Sequence, residues 1–297
     1  MKTLRTVAEL REALKEPRTT GGTIGLVPTM GAFHEGHLSL MRRARDECEV
    51  VVVSLFVNPT QFNERQDLVA YPRDEQADAA LAEQLGVDYL FAPPVEEIYP
   101  PGFATTVSVF GLTEVLEGAY RGRSHFDAVA TVVAKLFNIV GPDVAYFGQK
   151  DAQQALVIRR MVRDLNMPVR IELCPIVREP DGLAMSSRNA RLSDAERSQA
   201  VALHDALGAL QRAVAAGERD PAVVRAQALQ DLTARGIEPE YLELVNPETL
   251  VPLSQIDGHP VLALIAARVG PTRLIDNQLI EPLLAAPGAE PTNNGRR

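Results

Sequence analysis

The sequence is poor in cysteine, in lysine and in net positive charge, and each shortage excludes something. Only Cys48 and Cys174 occur in 297 residues, in no short paired spacing. That argues against a disulfide scaffold and suits a reducing compartment. Long apolar runs are missing too. The longest, near 50–57 and 261–269, fall well short of the ~20 residues that span a bilayer. The opening residues Met1, Lys2, Thr3, Leu4 and Arg5 lack the apolar stretch of a signal peptide. A cytoplasmic protein without membrane contact is the expectation. With 30 Lys and Arg against 39 Asp and Glu, the formal net charge is −9, so the average field repels nucleic acid. An anionic substrate would need cations gathered locally.

What is present has the rhythm of a wound sheet. Residues 7–15 carry helical spacing that 19–22 break, and 23–27 read as a short buried strand. A loop with Pro28 and Gly31 follows, then a helix marked by Leu38, Leu40, Met41 and Ala44, then a strand at 50–57. This β-loop-α-β order is the unit of a parallel sheet. Helices at 74–85, 128–140 and 151–165, the last with Asp151 as N-cap, alternate with strands at 88–92, 144–147 and 169–174. Past Arg191 the texture changes to helices at 194–216 and 221–235 and strands at 241–245 and 261–269. The expected fold is α/β: a Rossmann-like doubly wound parallel sheet over 1–176, with a smaller C-terminal α+β domain over 177–284. Residues 285–297, rich in Pro, Gly and Asn, read as a disordered tail.

Three constellations carry chemistry. Pro28-Thr29-Met30-Gly31-Ala32-Phe33-His34-Glu35-Gly36-His37 lies where a strand hands over to a helix, the crevice where open parallel sheets bind ligands. A helix N-terminus suits phosphate, and Gly36 would let one approach the backbone closely. Two of the chain's five histidines fall within four residues here. The H-x-x-H spacing lacks the frame of a zinc helix and no nearby cysteine completes a set, so phosphate binding is the better reading. The second constellation is Phe147-Gly148-Gln149-Lys150-Asp151, again at a strand-to-helix turn. Lys150 is one of only four lysines, and a cation at a helix N-terminus runs against the dipole unless an anion joins it. A salt bridge to Asp151 is the plain alternative. The third, Leu183-Ala184-Met185-Ser186-Ser187-Arg188-Asn189, has the composition of a mobile anion clamp. A further stretch, 117–125, with Gly118, Gly122 and two arginines, reads as a flap.

His34-Glu35-Gly36-His37 is similar to the H-x-G-H signature of the nucleotidyltransferase superfamily that includes class I aminoacyl-tRNA synthetases. Met185, Ser186, Ser187 and Arg188 look like its mobile K-M-S-K-S counterpart, with Arg188 in place of the missing lysines. The first constellation, Phe56-Val57-Asn58-Pro59-Thr60-Gln61-Phe62, the Lys150 turn with Gln153 and Gln154, and the Met185 loop together resemble the pantothenate synthetase family (pantoate–β-alanine ligases) over nearly the whole chain.

That resemblance implies ATP-dependent joining of pantoate to β-alanine, with Mg2+, in a homodimer. It implies that Met30, Gly31, Ala32, Phe33, His34, Glu35, Gly36 and His37 line the ATP site, with His37 the catalytic histidine. Gly148, Gln149, Lys150, Asp151, Val177, Met185, Ser186, Ser187 and Arg188 complete ATP binding. Gln61 and Gln154 hold pantoate, and Gln61 also adjoins β-alanine. The amides make sense by themselves, since a neutral amide can donate to one substrate oxygen and accept from another. His34, His37, Lys150 and Arg188 are the groups expected around the charge that develops on phosphate. Two other readings stand beside this one: a related enzyme that adenylylates a phosphate monoester, and a nucleotide-sensing module without catalysis. Glutamine in place of arginine at the acceptor positions speaks against the first, and the intact histidine pair against the second.

Overall fold

A strand of three residues, β1 (Lys2–Leu4), opens the chain, followed by α1 (Val7–Ala13) and α2 (Lys15–Thr20). The computed structural model describes residues 1–63 and 65–282. The break expected at 19–22 comes late. Thr19 and Thr20 are still helical, their hydroxyls donating to carbonyls one turn back, and the turn is made at Gly21, φ +78°. Then come β2 (Ile24–Thr29), α3 (Glu35–Glu47), β3 (Val50–Leu55), α4 (Arg65–Val69), α5 (Glu75–Gln84), β4 (Tyr89–Phe91) and α6 (Val95–Ile98). The second half of the winding is α7 (Glu117–Arg121), α8 (Arg123–Val140), β5 (Val144–Gly148), α9 (Ala152–Asp164) and β6 (Arg170–Cys174).

These six strands form one parallel sheet in the order β1-β4-β3-β2-β5-β6. The chain winds outward from β2 in one direction, returns to β5, and winds outward in the other. The β2–β5 boundary is therefore the switch point at which such sheets open a crevice. Packing explains why β3 reads as an unbroken valine run. Val52 joins Phe126 and Val133 of α8 on one face, while Val51 and Val53 join Leu40 and Met41 of α3 on the other. Successive side chains leave opposite faces, and both faces are covered.

Pro28 belongs to β2 rather than to the loop expected after it. The oxygen of Ile24 accepts from Asp143 N–H and that of Thr29 from Phe56 N–H, so even-numbered residues of β2 turn toward β5. Pairing with β5 ends at Leu26, and the N–H that proline lacks would have had no ladder partner.

The C-terminal part comprises α10 (Asp194–Ala215), α11 (Pro221–Ala234) and an antiparallel sheet of β7 (Pro239–Val245), β8 (Val261–Val269) and β9 (Thr272–Ile280). α10 starts with a reciprocal Ser193–Glu196 capping box and α11 with Asp220 as N-cap and proline at its first position. Ala263, Ile265 and Ala267 of β8 pack with both helices. Leu262 and Leu264 face the other way and join the core of the six-stranded sheet. Sequence reading misses β1, which is too short to show a period, and β9, whose polar residues disguise it. No helix among the described residues is long and apolar enough to cross a membrane. The tail expected at 285–297 lies outside the described residues.

Candidate active site

The turn after β2 is built from two unusual supports. His34 is the N-cap of α3, and its ring Nδ1 accepts the Gly36 N–H at 3.2 Å. His37, one turn in, accepts the His34 N–H on its own Nδ1 at 3.4 Å. The pair forms a capping box made of histidines. A ring nitrogen that accepts carries no proton, so each neutral imidazole holds its hydrogen on Nε2, free to donate to a ligand. Burial pushes the His37 pKa down to about 3, helped by His34 and Lys150 and opposed by Asp151. His34 is lowered by burial and by Lys150. Gly36 is needed for a reason beyond ligand approach: a Cβ there would sit 2.9 Å from the His34 ring.

The second support is Asp78 of α5, buried at 3% exposure. Its carboxylate accepts the N–H groups of Ala32 and Phe33 at 2.8 and 2.7 Å. Gly31 and Ala32 both have positive φ, +84° and +53°, and the left-handed region costs a residue with a Cβ about 1–2 kcal/mol. The two charge-assisted bonds hold that conformation in place.

Lys150 follows β5, the neighbour of β2. Among the described residues it has no ion pair, so the alternative of a salt bridge to Asp151 is not formed. Asp151 takes the N-cap position of α9 as expected, but its side chain makes no cap bond. The third element is a narrow loop: Met185 N–H donates to Val177 O at 3.0 Å, and Arg178 bridges Ala184. Ser186 Oγ accepts the Arg188 N–H, and the Arg188 guanidinium lies 3.7 Å from Asp67.

These pieces converge. A cavity of about 240 Å3 is lined by His34, Gly36, His37, Gly148, Lys150, Asp151, Val177, Met185, Ser186, Ser187 and Arg188. A second, of about 350 Å3, lies toward Glu117, Arg121, Tyr241 and Arg273. Met30, Gln61, Lys150, Asp151, Gln154 and Arg188 line both, so the two spaces adjoin across these side chains. Gln61 donates to Met30 Sδ and accepts from Asn58. The Gln154 side chain makes no hydrogen bond within the described residues. Its neighbour Gln153 is occupied structurally, bonded to Leu112 O, Val115 O and the Glu117 N–H.

Five of the expected ATP-site residues line neither cavity. The backbones of Gly31, Ala32 and Phe33 face inward to Thr29 and Asp78. Glu35 pairs with Arg42, and the Gln149 side chain turns to Asn277. The stretch read as a flap is helical, formed by α7 and the start of α8. Glu117 there is buried and accepts from Arg273 through two bonds, from Arg121 and from Tyr241. Burial would raise its pKa, but Arg273 and Arg121 hold it at about 2. Sequence reading missed Asp78, Glu117, Asp276 and Asn277. No local pattern marks them, because α5, α7 and β9 all mix polar and apolar residues.

Fold and cleft together define a doubly wound α/β protein whose anion-receptive site sits at the sheet's switch point. Residues 2–279 match the family described as Pantoate-beta-alanine ligase. The chain belongs to that family, and is a ligase of pantothenate biosynthesis. Pantothenate synthetase of Moorella thermoacetica is 54% identical over 95% of this chain and 99% of its own length. That of Thermotoga petrophila is 52% identical over 94% and 100%. Among solved structures, the Thermus thermophilus enzyme superposes with a TM-score of 0.90 at 50% identity, covering 95% of this chain and 100% of its own. Pantoate-beta-alanine ligase of Francisella tularensis, solved as a complex with beta-gamma ATP and beta-alanine, gives 0.78 at 32% identity over 94% and 97%.

Proposed function

We propose that this chain condenses (R)-pantoate with β-alanine, using ATP and giving pantothenate, AMP and pyrophosphate through a bound pantoyl-adenylate. The observation that carries the reading is the shared wall of the two cavities: a cationic, ring-N–H-lined space on one side and the amides of Gln61 and Gln154 at the junction. The smaller cavity takes ATP and the larger begins where pantoate lies.

A carboxylate does not condense with an amine in water because the leaving group is poor. Attack of the pantoate carboxylate on the α-phosphorus makes AMP the later leaving group and releases pyrophosphate. Charge then grows on phosphate oxygens, and His34 and His37 meet it with Nε2–H donors, Lys150 and Arg188 with positive charge. With a pKa near 3, His37 works as a neutral hydrogen-bond donor until phosphate charge is beside it. Gln154 and Gln61 hold pantoate, Gln61 also bordering β-alanine. Attack by the amine of β-alanine on the acyl carbon, with loss of AMP, completes the reaction.

Mg2+ is proposed to enter with the nucleotide. The donor set suits it: the phosphate oxygens are hard ligands, and Asp151 is a carboxylate on both cavity walls. When bound, the ion neutralises charge on the departing pyrophosphate. Residues 1–176 are proposed as the ATP- and pantoate-binding domain and 177–284 as the smaller domain bearing the loop at 185–188. The family resemblance supports a cytoplasmic homodimer.

Enzyme supplied with ATP, Mg2+ and pantoate, without β-alanine, should exchange labelled pyrophosphate into ATP. Omitting pantoate should abolish exchange, and β-alanine should divert the intermediate to AMP and pantothenate. ADP as the nucleotide product would refute the acyl-adenylate route.

A further inference from the structure

The Lys150 turn and the loop at 177–188 are held from one place, two adjacent residues of β9. Asn277 is 1% exposed and Asp276 4%, and successive side chains of a strand leave opposite faces. On one face, the Asn277 Nδ2 donates to Gln149 O at 2.9 Å and to Lys150 O at 3.0 Å. On the other, Asp276 takes the Arg178 guanidinium through two bonds, at 2.7 and 3.1 Å. The same guanidinium donates to Gly182 O at 3.1 Å, closing the base of the loop that delivers Met185 to Arg188.

The two bonds of Asn277 restrain the backbone of Lys150 from both sides. Rotation about φ of Lys150 swings the peptide that carries Gln149 O, and rotation about ψ swings the one that carries Lys150 O. With both carbonyls held by one amide group, both dihedrals are narrowed, and with them the direction in which the lysine side chain leaves the backbone. Peptide planarity carries the constraint to the flanking N–H groups. An asparagine with two donors on one nitrogen is suited to this; aspartate offers no donor and alanine no bond.

We propose that Asn277 is a positioning residue for Lys150. The small C-terminal sheet thus sets the placement of the Lys150 turn beside the ATP phosphates, and the neighbouring Asp276 ties the same strand to the base of the 177–188 loop. This rests on the ATP-dependent reading above and deepens it.

Two readouts separate the inference from that reading. The first is ATP affinity by calorimetry across a double-mutant cycle of Asn277→Ala and Lys150→Ala. A hydrogen bond from a charged group is among the strong ones, so misplacing the Lys150 ammonium by Asn277→Ala should weaken ATP roughly 10-fold. In the Lys150→Ala background the same change should weaken it less than about 2-fold, because the group it positions is gone. Equal losses in both backgrounds would overturn the inference, even with pantoate-dependent pyrophosphate exchange intact. Conversely, missing exchange alongside a coupled cycle would sink the acyl-adenylate reading and leave the positioning role standing. If Asn277→Ala fails to fold, the cycle is read with Asn277→Ser, whose single hydroxyl reaches at most one carbonyl. A smaller but still Lys150-dependent loss is then expected, and a Lys150-independent one overturns the proposal.

Discussion

The rings of His34 and His37 lie with centroids 4.2 Å apart, tilted by 38°, each with Nδ1 committed to a backbone N–H of the turn they cap. Burial keeps the pair neutral, the accepting Nδ1 atoms suit that state, and stability is thereby linked to pH. In the unfolded chain a histidine takes up a proton near pH 6.5, whereas folded His37 resists until about pH 3 and His34 also titrates low. Between those values the unfolded state binds more protons, so stability must fall as pH falls. Urea unfolding at pH 7 and pH 5 should show a loss for the native protein that shrinks in His37→Asn. An unchanged loss in the variant would show that other groups cause it.

In the proposed reaction His37 meets charge that appears mainly in the transition state. His37→Ala should therefore slow adenylate formation by roughly 10²–10⁴ with the fold intact. A loss below tenfold at unchanged melting temperature would remove it from that role.

The side-chain amide of Gln154 has no partner among the described residues, while that of Gln61 bonds Met30 and Asn58. Both substitutions to alanine should weaken pantoate use more than ATP use, by about 1–3 kcal/mol for the substrate groups left unpaired. Gln154→Ala should leave melting unchanged, and Gln61→Ala should lower it slightly. A rise in the ATP Michaelis constant alone would contradict the assignment.

Glu117 ties α7 to the C-terminal sheet through Arg273, at 2.6 and 2.7 Å, with Tyr241 at 2.8 Å. Glu117→Ala leaves the half-buried Arg273 guanidinium with Glu240 as its one carboxylate partner among the described residues and should cost on the order of 3 kcal/mol in urea unfolding. The double change with Arg273→Met should recover part of that loss. If Glu117→Ala costs under about 1 kcal/mol, the network is not a structural tie.

How much of this was legible in sequence depends on distance along the chain. The winding of the large sheet, the His34–His37 turn, the Lys150 turn and the serine-arginine loop all announce themselves within ten residues or so. Their signals are local: apolar periods of two and 3.6, a strand handing over to a helix, a cluster of rare residue types. Pro28 misled because a proline is compatible with a central strand only where the neighbouring strand has already diverged, and no local pattern shows where that happens.

Amino-acid order alone thus gave most of the winding of the large sheet and the place of the His34 and Lys150 turns after two of its strands, though not β1, β9 or the helix α7. Tertiary structure decided what holds them. Asp78 reaches back 46 residues to the turn at Ala32, Asn277 reaches 127 to Lys150, and Asp276 reaches 98 to Arg178. Each is a polar side chain in a buried place, where an unpaired group would cost more than its bond contributes. Only the folded chain, by bringing distant backbone within hydrogen-bond reach, makes such residues possible and gives them their work.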